Sequence, residues 1–272
     1  MRLYALSVYL FLYIPIGVIA LFSFNAGRNA SQLQGFSTKW YGTALSNPFV
    51  MDALKTSLTV ALTSAFLATV FGTMAAVALQ GIKGPVRKVF DLLIYVAVMI
   101  PGIVIGIATL IGLVTVFDQL NPLIAAVWPD GATPPKLNMG MGSLIAAHSM
   151  FLMALVIIIV RARLAGMDRA LTEASSDLYA TSFGTFRQVT LPLIFPAVLA
   201  GFLLSFTFSF DDFIIAFFVA GSETTLPIYV FSSIRRGVTP EINAIGTMIL
   251  AVSLILLITA QIQLRRGARS GR

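Results

Sequence analysis

Six stretches of this chain run for more than twenty residues without a single Asp, Glu, Lys or Arg: 3–25, 56–80, 92–117, 137–160, 188–210 and 242–264. About 20 apolar residues rising 1.5 Å each are what a helix needs to cross the hydrocarbon core of a bilayer, so these runs predict membrane spans. A soluble reading is excluded on the same ground. Of the 272 residues 58% are hydrophobic and 11% charged, against the roughly 25% charged residues of ordinary soluble domains. The net charge of +7 would suggest nucleic acid in a soluble protein. Here the basic residues sit between apolar blocks, and no nucleic-acid partner is expected.

The expected fold is an all-α integral membrane protein of six transmembrane helices, drawn approximately at 4–24, 56–80, 92–117, 139–160, 192–220 and 242–264. The first is read as a permanent span because its apolar stretch exceeds that of a signal peptide and no small-x-small pattern closes it. With both termini cytoplasmic, the inside segments hold twelve of the eighteen Lys and Arg residues and the outside segments the other six. That bias favours this orientation. Pro101-Gly102 falls inside the expected third span, where a gating or lining role and a packing kink weigh equally, since a freed backbone group in lipid must find a partner. The stretch 121–142 carries Pro122, Pro129, Pro134 and Pro135 and reads as an outer loop built on turn chemistry.

No cysteine and a single histidine exclude disulfides, thiolate nucleophiles and multi-histidine metal sites, so no catalytic residue and no metal ligand is expected. His148, alone in the fourth span, is read as a satisfied packing histidine. Asp211 and Asp212 interrupt the fifth span, and an acid at the centre of a membrane helix costs about 2.5–3.5 kcal/mol on insertion scales, which a function or a partner should offset. Successive helical residues point about 100° apart, so only one of the two is expected to face a pathway squarely. Phe210, Tyr229 and Glu241 are further candidates for that pathway; Glu241 equally suits a helix start. The phenylalanines around the aspartates are read as apolar surface unless they form a cage for a cation.

The segment 165–191 is long for an inside loop and must do something there. Met167, Leu171, Ala174, Ser175 and Leu178 share one face at helical spacing, and Arg169 with Glu173 makes an i,i+4 pair on another. A short amphipathic helix over 168–180, a turn through 181–184 and a second short element over 185–190 are expected, a docking or interfacial hairpin. Glu173-Ala174-Ser175, then Tyr179, then after nine residues Val189, Leu191 and Pro192 resemble the EAA motif of ABC importer permeases. Tyr179 stands where that pattern has glycine, and Ser175 where it has alanine. A bulky residue reaches glycine's backbone angles only at a cost, so the helix is expected to continue one turn past Tyr179 as readily as to end there.

The resemblance extends over 204–213, Leu226-Pro227-Ile228-Tyr229, 237–244 and 36–41, which are similar to the second permease subunit of the spermidine/putrescine branch. It implies the type I ABC importer permease fold in a bacterial inner membrane. Glu173, Ala174, Ser175, Leu178, Tyr179, Leu191 and Pro192 would then be the coupling segment toward an ATPase. It also implies a heterodimer with a second permease, two ATPase subunits that bind ATP and Mg, and an extracytoplasmic polyamine-binding protein, with no cofactor in this chain. The chain has no G-x-x-x-x-G-K-[ST] loop, so ATP hydrolysis is assigned to the partner. A permease for a ferric, thiamine or sugar substrate is the alternative. An ion-coupled secondary transporter fits less well, since six spans show no inverted repeat.

Overall fold

The computed structural model describes residues 2–29, 32–129 and 131–270. Of the basic residues that set the orientation, Arg272 lies outside the described residues, as do the side chains of Arg2, Arg169, Arg265, Arg266 and Arg269. The Arg169–Glu173 pair falls outside them with Arg169. The described chain is helical apart from connecting loops and one isolated bridge between Asn25 and Phe36. Five helical stretches among the described residues are long and apolar enough to cross a membrane: Tyr4–Ser23, Pro48–Gly81, Gly102–Val127, Met141–Ala165 and Ser182–Asp211. Pro240–Ile255 is a shorter apolar stretch.

The chain divides into two compact units. The first comprises the residues up to Lys55 and those from Leu226 onward. In it α1 (Arg2–Ser23) and α2 (Lys39–Ser46) pack on α12 (Pro240–Ser270), which α11 (Leu226–Arg236) precedes. Between α1 and α2 the chain winds around Asn25, which is fully buried. Its Nδ2 donates to the carbonyls of Asn29 and Gln32, and its Oδ1 accepts from the amides of Gly27 and Gln34. One side chain thus satisfies four backbone groups that no helix or sheet would serve. Trp40 Nε1 donates to the Asn25 carbonyl at 2.8 Å, and Phe24 stacks on Phe36 and leans on Tyr41.

The second unit is Thr56–Thr225. It holds most of α3 (Pro48–Gly81), then α4 (Pro85–Met99), α5 (Gly102–Val127), α6 (Met141–Ala165), α7 (Arg169–Asp177), α8 (Ser182–Thr185), α9 (Leu191–Asp211) and α10 (Ile214–Val219). Its core is organised on α6, whose Leu152, Val156, Ile157 and Val160 are buried with Ala68, Ala76 and Leu79 of α3, Ile94 of α4 and Ile194 of α9. Small residues allow the approach: a Cβ on Gly72 would stand 2.9 Å from that of Val156, and one on Gly106 would stand 2.7 Å from the Phe218 ring. Between apolar helices in lipid, such close packing supplies the dispersion energy that the hydrophobic effect cannot.

The helix bounds differ from the expected spans at three places. The expected span 92–117 is divided, because Ile100 is extended and Pro101 is the N-cap of α5. Proline lacks the donor for the i−4 carbonyl and disfavours helical angles in the residue before it, so the pair ends α4 and starts α5 rather than kinking one helix. As a result α5 runs on past Asp118 to Val127, and 121–127 is helix instead of loop. Asn121 closes the shortened loop, donating from Nδ2 to the Leu137 carbonyl and accepting the Leu137 amide at 2.7 Å. The expected span 192–220 ends as a continuous helix at Asp211, with Asp212 extended before α10.

Candidate functional site

Three groupings of polar side chains stand out, two in the second unit and one in the first. The first surrounds α7. Asp168 is its N-cap, accepting the Ala170 amide at 3.0 Å and satisfying a donor that the first turn leaves free. The helix ends at Asp177, and Tyr179 takes a left-handed backbone with φ +61°. Around it the Tyr179 amide donates to the Ser176 carbonyl and the Ala180 amide to the Ser175 carbonyl. This is the Schellman arrangement, with Tyr179 at the position usually held by glycine. The helix therefore does not continue past Tyr179. The closed carbonyls offset the cost of a side chain in that region, and the Tyr179 ring, 97% exposed, meets no obstruction. Tyr179→Gly is expected to stabilise this turn by about 1 kcal/mol, the scale of the left-handed penalty; slower amide exchange in the peptide spanning it would be the readout, with Tyr179→Ile exchanging faster.

The turn expected through 181–184 is shorter than that. Thr181 caps α8, its Oγ1 accepting the Gly184 amide, and α8 passes through a π-helical turn, Phe186–Thr190, into α9. The Leu191 amide reaches back to the Phe186 carbonyl, five residues away. A wide turn suits this point because Pro192 has no amide to donate and its ring would crowd a carbonyl in a regular helix. Ser175 and Thr185 share a hydroxyl hydrogen bond at 2.9 Å, tying α7 to α8. Leu191 is half-buried against the core, and Pro192 is exposed. Glu173, Ala174 and Leu178 are exposed, and Leu178, Tyr179 and Phe183 together leave an apolar face at this end. Glu173 holds no hydrogen bond or ion pair among the described residues. It lines a cavity of about 460 Å³ with Lys83, Arg87, Arg161 and Asp168.

Behind that cavity Arg161 Nη1 donates to Asp91 Oδ1 at 2.5 Å, and Arg87 reaches both Asp91, at 3.6 Å, and the Leu79 carbonyl near the end of α3. The network joins the ends of α3, α4 and α6. The hydrogen bond from Arg161 holds the Asp91 carboxyl below its ordinary value of 3.8, assisted by the charges of Arg161 and Arg87. The folded value is the lower one, so the contribution of Asp91 is present above pH 3.8 and is lost as the pH falls through the folded value. Thermal unfolding followed against pH should show an acid loss of stability that Asp91→Asn reduces.

The second grouping lies where α9 breaks. Asp211 is the last residue of α9 and holds no hydrogen bond or ion pair among the described residues. Asp212 Oδ2 accepts the Ala216 amide at 2.9 Å, so this carboxylate caps α10. The same oxygen lies 3.5 Å from His148 Nε2, and His148 Nδ1 is 2.7 Å from Ser209 Oγ. Both aspartates line an open cavity of about 490 Å³ with Thr207, Phe208, Phe213 and Ile214. The two acids are thus distinguished, one bound into the structure and one free. Phe210 stacks on Phe206 and Phe213 leans on Phe217, so these rings pair with each other.

The third grouping is in the first unit. Asn47 Nδ2 donates to Glu241 Oε1 at 2.9 Å and to the Tyr229 hydroxyl at 3.3 Å. Glu241 is also in the first turn of α12, so its helix-start reading and its place in a polar cluster hold together. Sequence reasoning singled out Tyr229 and Glu241 but missed Asn47, a common polar residue in a turn. It also missed the tie between His148 and Asp212. A lone histidine and an acid 64 positions apart carry no spacing signal.

The model of the family described as binding-protein-dependent transport system inner membrane component matches residues 68–266. The chain is 36% identical over 257 residues to the spermidine/putrescine transport system permease protein PotC of Escherichia coli, covering 94% of this chain and 90% of that protein. It is 38% identical to the putrescine transport system permease protein PotI of Escherichia coli, covering 90% and 84%. Among solved structures, a bacterial ABC transporter involved in import of the acidic polysaccharide alginate superposes with a TM-score of 0.75 at 17% identity, covering 98% of this chain and 94% of that one. The MetNI methionine ABC transporter in inward-facing conformation superposes with a TM-score of 0.57 at 16% identity, covering 81% and 94%. Those two likenesses concern the fold. The fold, the helical segment ahead of α9 and the match over most of the chain lead to one conclusion: the chain belongs to the family of binding-protein-dependent transport system inner membrane components, the multi-pass permeases of bacterial ABC importers.

Proposed function

We propose that this chain is a transmembrane permease subunit of an ATP-driven importer of polyamines, forming half of the translocation pathway. The observation that carries the substrate is the 36–38% identity, over nine-tenths or more of the chain, to permeases named for spermidine and putrescine. A free carboxylate, Asp211, in an open cavity suits a flexible multivalent cation. In this reading α12 supplies the sixth span, both termini are cytoplasmic and the chain sits in the bacterial inner membrane. A second permease, two ATPase subunits and an extracytoplasmic binding protein complete the assembly. ATP and Mg belong to the ATPase, and this chain is non-catalytic.

The coupling segment is 165–191. Glu173, Ala174, Ser175, Leu178 and Tyr179 meet the ATPase; Leu191 and Pro192 carry its movement into α9. A helix capped at both ends transmits a rigid-body displacement with little loss in bending. The side chains that would meet a partner, Leu178 and Tyr179, are 81% and 97% exposed. Asp211, Asp212 and Phe210 in the second unit, and separately Tyr229 and Glu241 in the first, are the residues assigned to the passage of the substrate.

The test is uptake of labelled spermidine and putrescine by cells lacking the gene and complemented with it, after a protonophore collapses the proton gradient while ATP is maintained. Gene-dependent uptake that survives the protonophore supports the reading. Uptake that disappears with the gradient would make the chain an ion-coupled carrier, and uptake indifferent to the gene would remove the polyamine assignment.

A further inference from the structure

His148 is the single histidine of the chain and is 2% exposed. A histidine kept only for packing would have both ring nitrogens satisfied or facing apolar atoms. Here Nδ1 is engaged by Ser209 at 2.7 Å, whereas Nε2 has no hydrogen-bond partner among the described residues and lies 3.5 Å from the Asp212 carboxylate. Three elements meet at this point. His148 comes from α6, Ser209 from the last turn of α9, and Asp212 from the break before α10. Ser209 and Asp212 are three residues apart, so the final turn of α9 presents both to the ring.

The Ser209 contact allows either tautomer, and the carboxylate opposite Nε2 decides between them. A serine hydroxyl carries one proton, and giving it to Nδ1 leaves the ring proton on Nε2, facing the carboxylate. With the proton on Nδ1 instead, a lone pair on Nε2 would face a carboxylate oxygen, two acceptors opposed in a buried place. Asp212 Oδ2 already accepts the Ala216 amide, and the Ile215 amide donates to the same carboxylate. An Nε2 proton faces this carboxylate at 3.5 Å, a favourable electrostatic contact beside the two amide donors though longer than a hydrogen bond.

We infer that His148 is a positioning residue of the transport pathway, its Nε2 proton facing Asp212 and holding it as the cap of α10, so that of the two aspartates lining the cavity Asp211 is the one left without a partner among the described residues. The inference rests on the proposed cation pathway for its purpose, though not for its geometry. It divides the work of the two aspartates: Asp212 is held by the protein, and Asp211 is free for an ammonium. The break between α9 and α10 keeps its angle through a side-chain relay that runs back to α6.

The experiment has two arms on the assembled transporter. In the first, the protein is labelled with ¹⁵N-histidine, and His148 is assigned as the signal lost in His148→Gln. The expected result is a neutral ring protonated at Nε2, whose shifts move in Ser209→Ala and Asp212→Asn but not in Asp211→Asn. A ring protonated at Nδ1, or one indifferent to Asp212→Asn, would overturn the inference whatever the transported solute. In the second, spermidine uptake is compared in His148→Phe, which keeps bulk without a donor, and His148→Gln, which keeps a donor. The first should lose about tenfold in maximal rate, the scale of a lost buried hydrogen-bond partner, and the second should restore most of it. The double variant His148→Phe with Asp212→Asn should be no slower than Asp212→Asn alone, because both act on one link. Losses that multiply would show that His148 acts independently of Asp212. If wild type transports no polyamine, the proposed substrate fails and the ring signal still decides the role of His148.

Discussion

Uptake through the assembled transporter is expected to fall by at least about tenfold when Glu173 is replaced by alanine, the scale set by truncating one partner of a buried charge pair at an interface. The permease itself should still insert and assemble. Glu173 is exposed on α7, and an exposed carboxylate contributes little to the isolated fold, so its removal should cost little there. Leu178, Tyr179 and Phe183 are exposed as well, and the proposed counterpart of the Glu173 carboxylate is a donor on the ATPase. Asp168 below and the Schellman turn above fix the ends of α7, so the expected loss falls on the proposed contact with the ATPase and not on helix formation. The measurement is uptake together with ATP hydrolysis by the same preparation. Hydrolysis that persists while uptake is lost is the expected signature of failed coupling.

Asp211→Asn is expected to lower the maximal rate of polyamine uptake on the order of a hundredfold. An ammonium about 4 Å from a carboxylate gains about 4 kcal/mol at an effective dielectric of 20, and the openness of the site discounts that figure. The concentration for half-maximal uptake should change little if, as proposed, a separate binding protein delivers the substrate. Asp212→Asn should differ in kind. It removes a carboxylate already engaged by the Ala216 amide and facing His148, and so loosens the start of α10 rather than subtracting a free charge. Stability of the purified assembly separates the two: Asp212→Asn should unfold at lower temperature and Asp211→Asn should not.

Much of this molecule is legible from residue order, because the constraint imposed by lipid is severe. An apolar run of over twenty residues has few alternatives to a helix, and the runs at 3–25, 56–80 and 137–160 correspond to α1, α3 and α6. The absence of charge is a poorer guide to where such a helix ends. Asp118 stops an apolar run yet sits within α5, while Ile100 and Pro101, both uncharged, divide two helices. Backbone chemistry wins over polarity at both places. A short helix over 168–180 is expected from its apolar spacing and α7 lies within it, but the left-handed Tyr179 is not legible. Its φ depends on whether the carbonyls of Ser175 and Ser176 find donors, which only the closed turn reveals.

The candidate pathway divides along the same line. Two aspartates in an apolar run announce themselves by their cost, and their unequal roles do not. Asp211 and Asp212 are distinguished by what stands opposite each, and the group opposite Asp212 comes from α6, far away in the chain. Asn47 is likewise recognisable only once Tyr229 and Glu241 are brought to it. Local chemistry predicts helices and caps; it does not predict which distant side chain will complete a cluster.

The most direct test of the central claim is to reconstitute the purified assembly into liposomes with ATP on the ATPase side and measure accumulation of labelled spermidine delivered by its binding protein. Concentrative uptake that requires ATP and ceases with Glu173→Ala is the predicted result. ATP hydrolysis indifferent to the polyamine-loaded binding protein, with no spermidine accumulated, would contradict it.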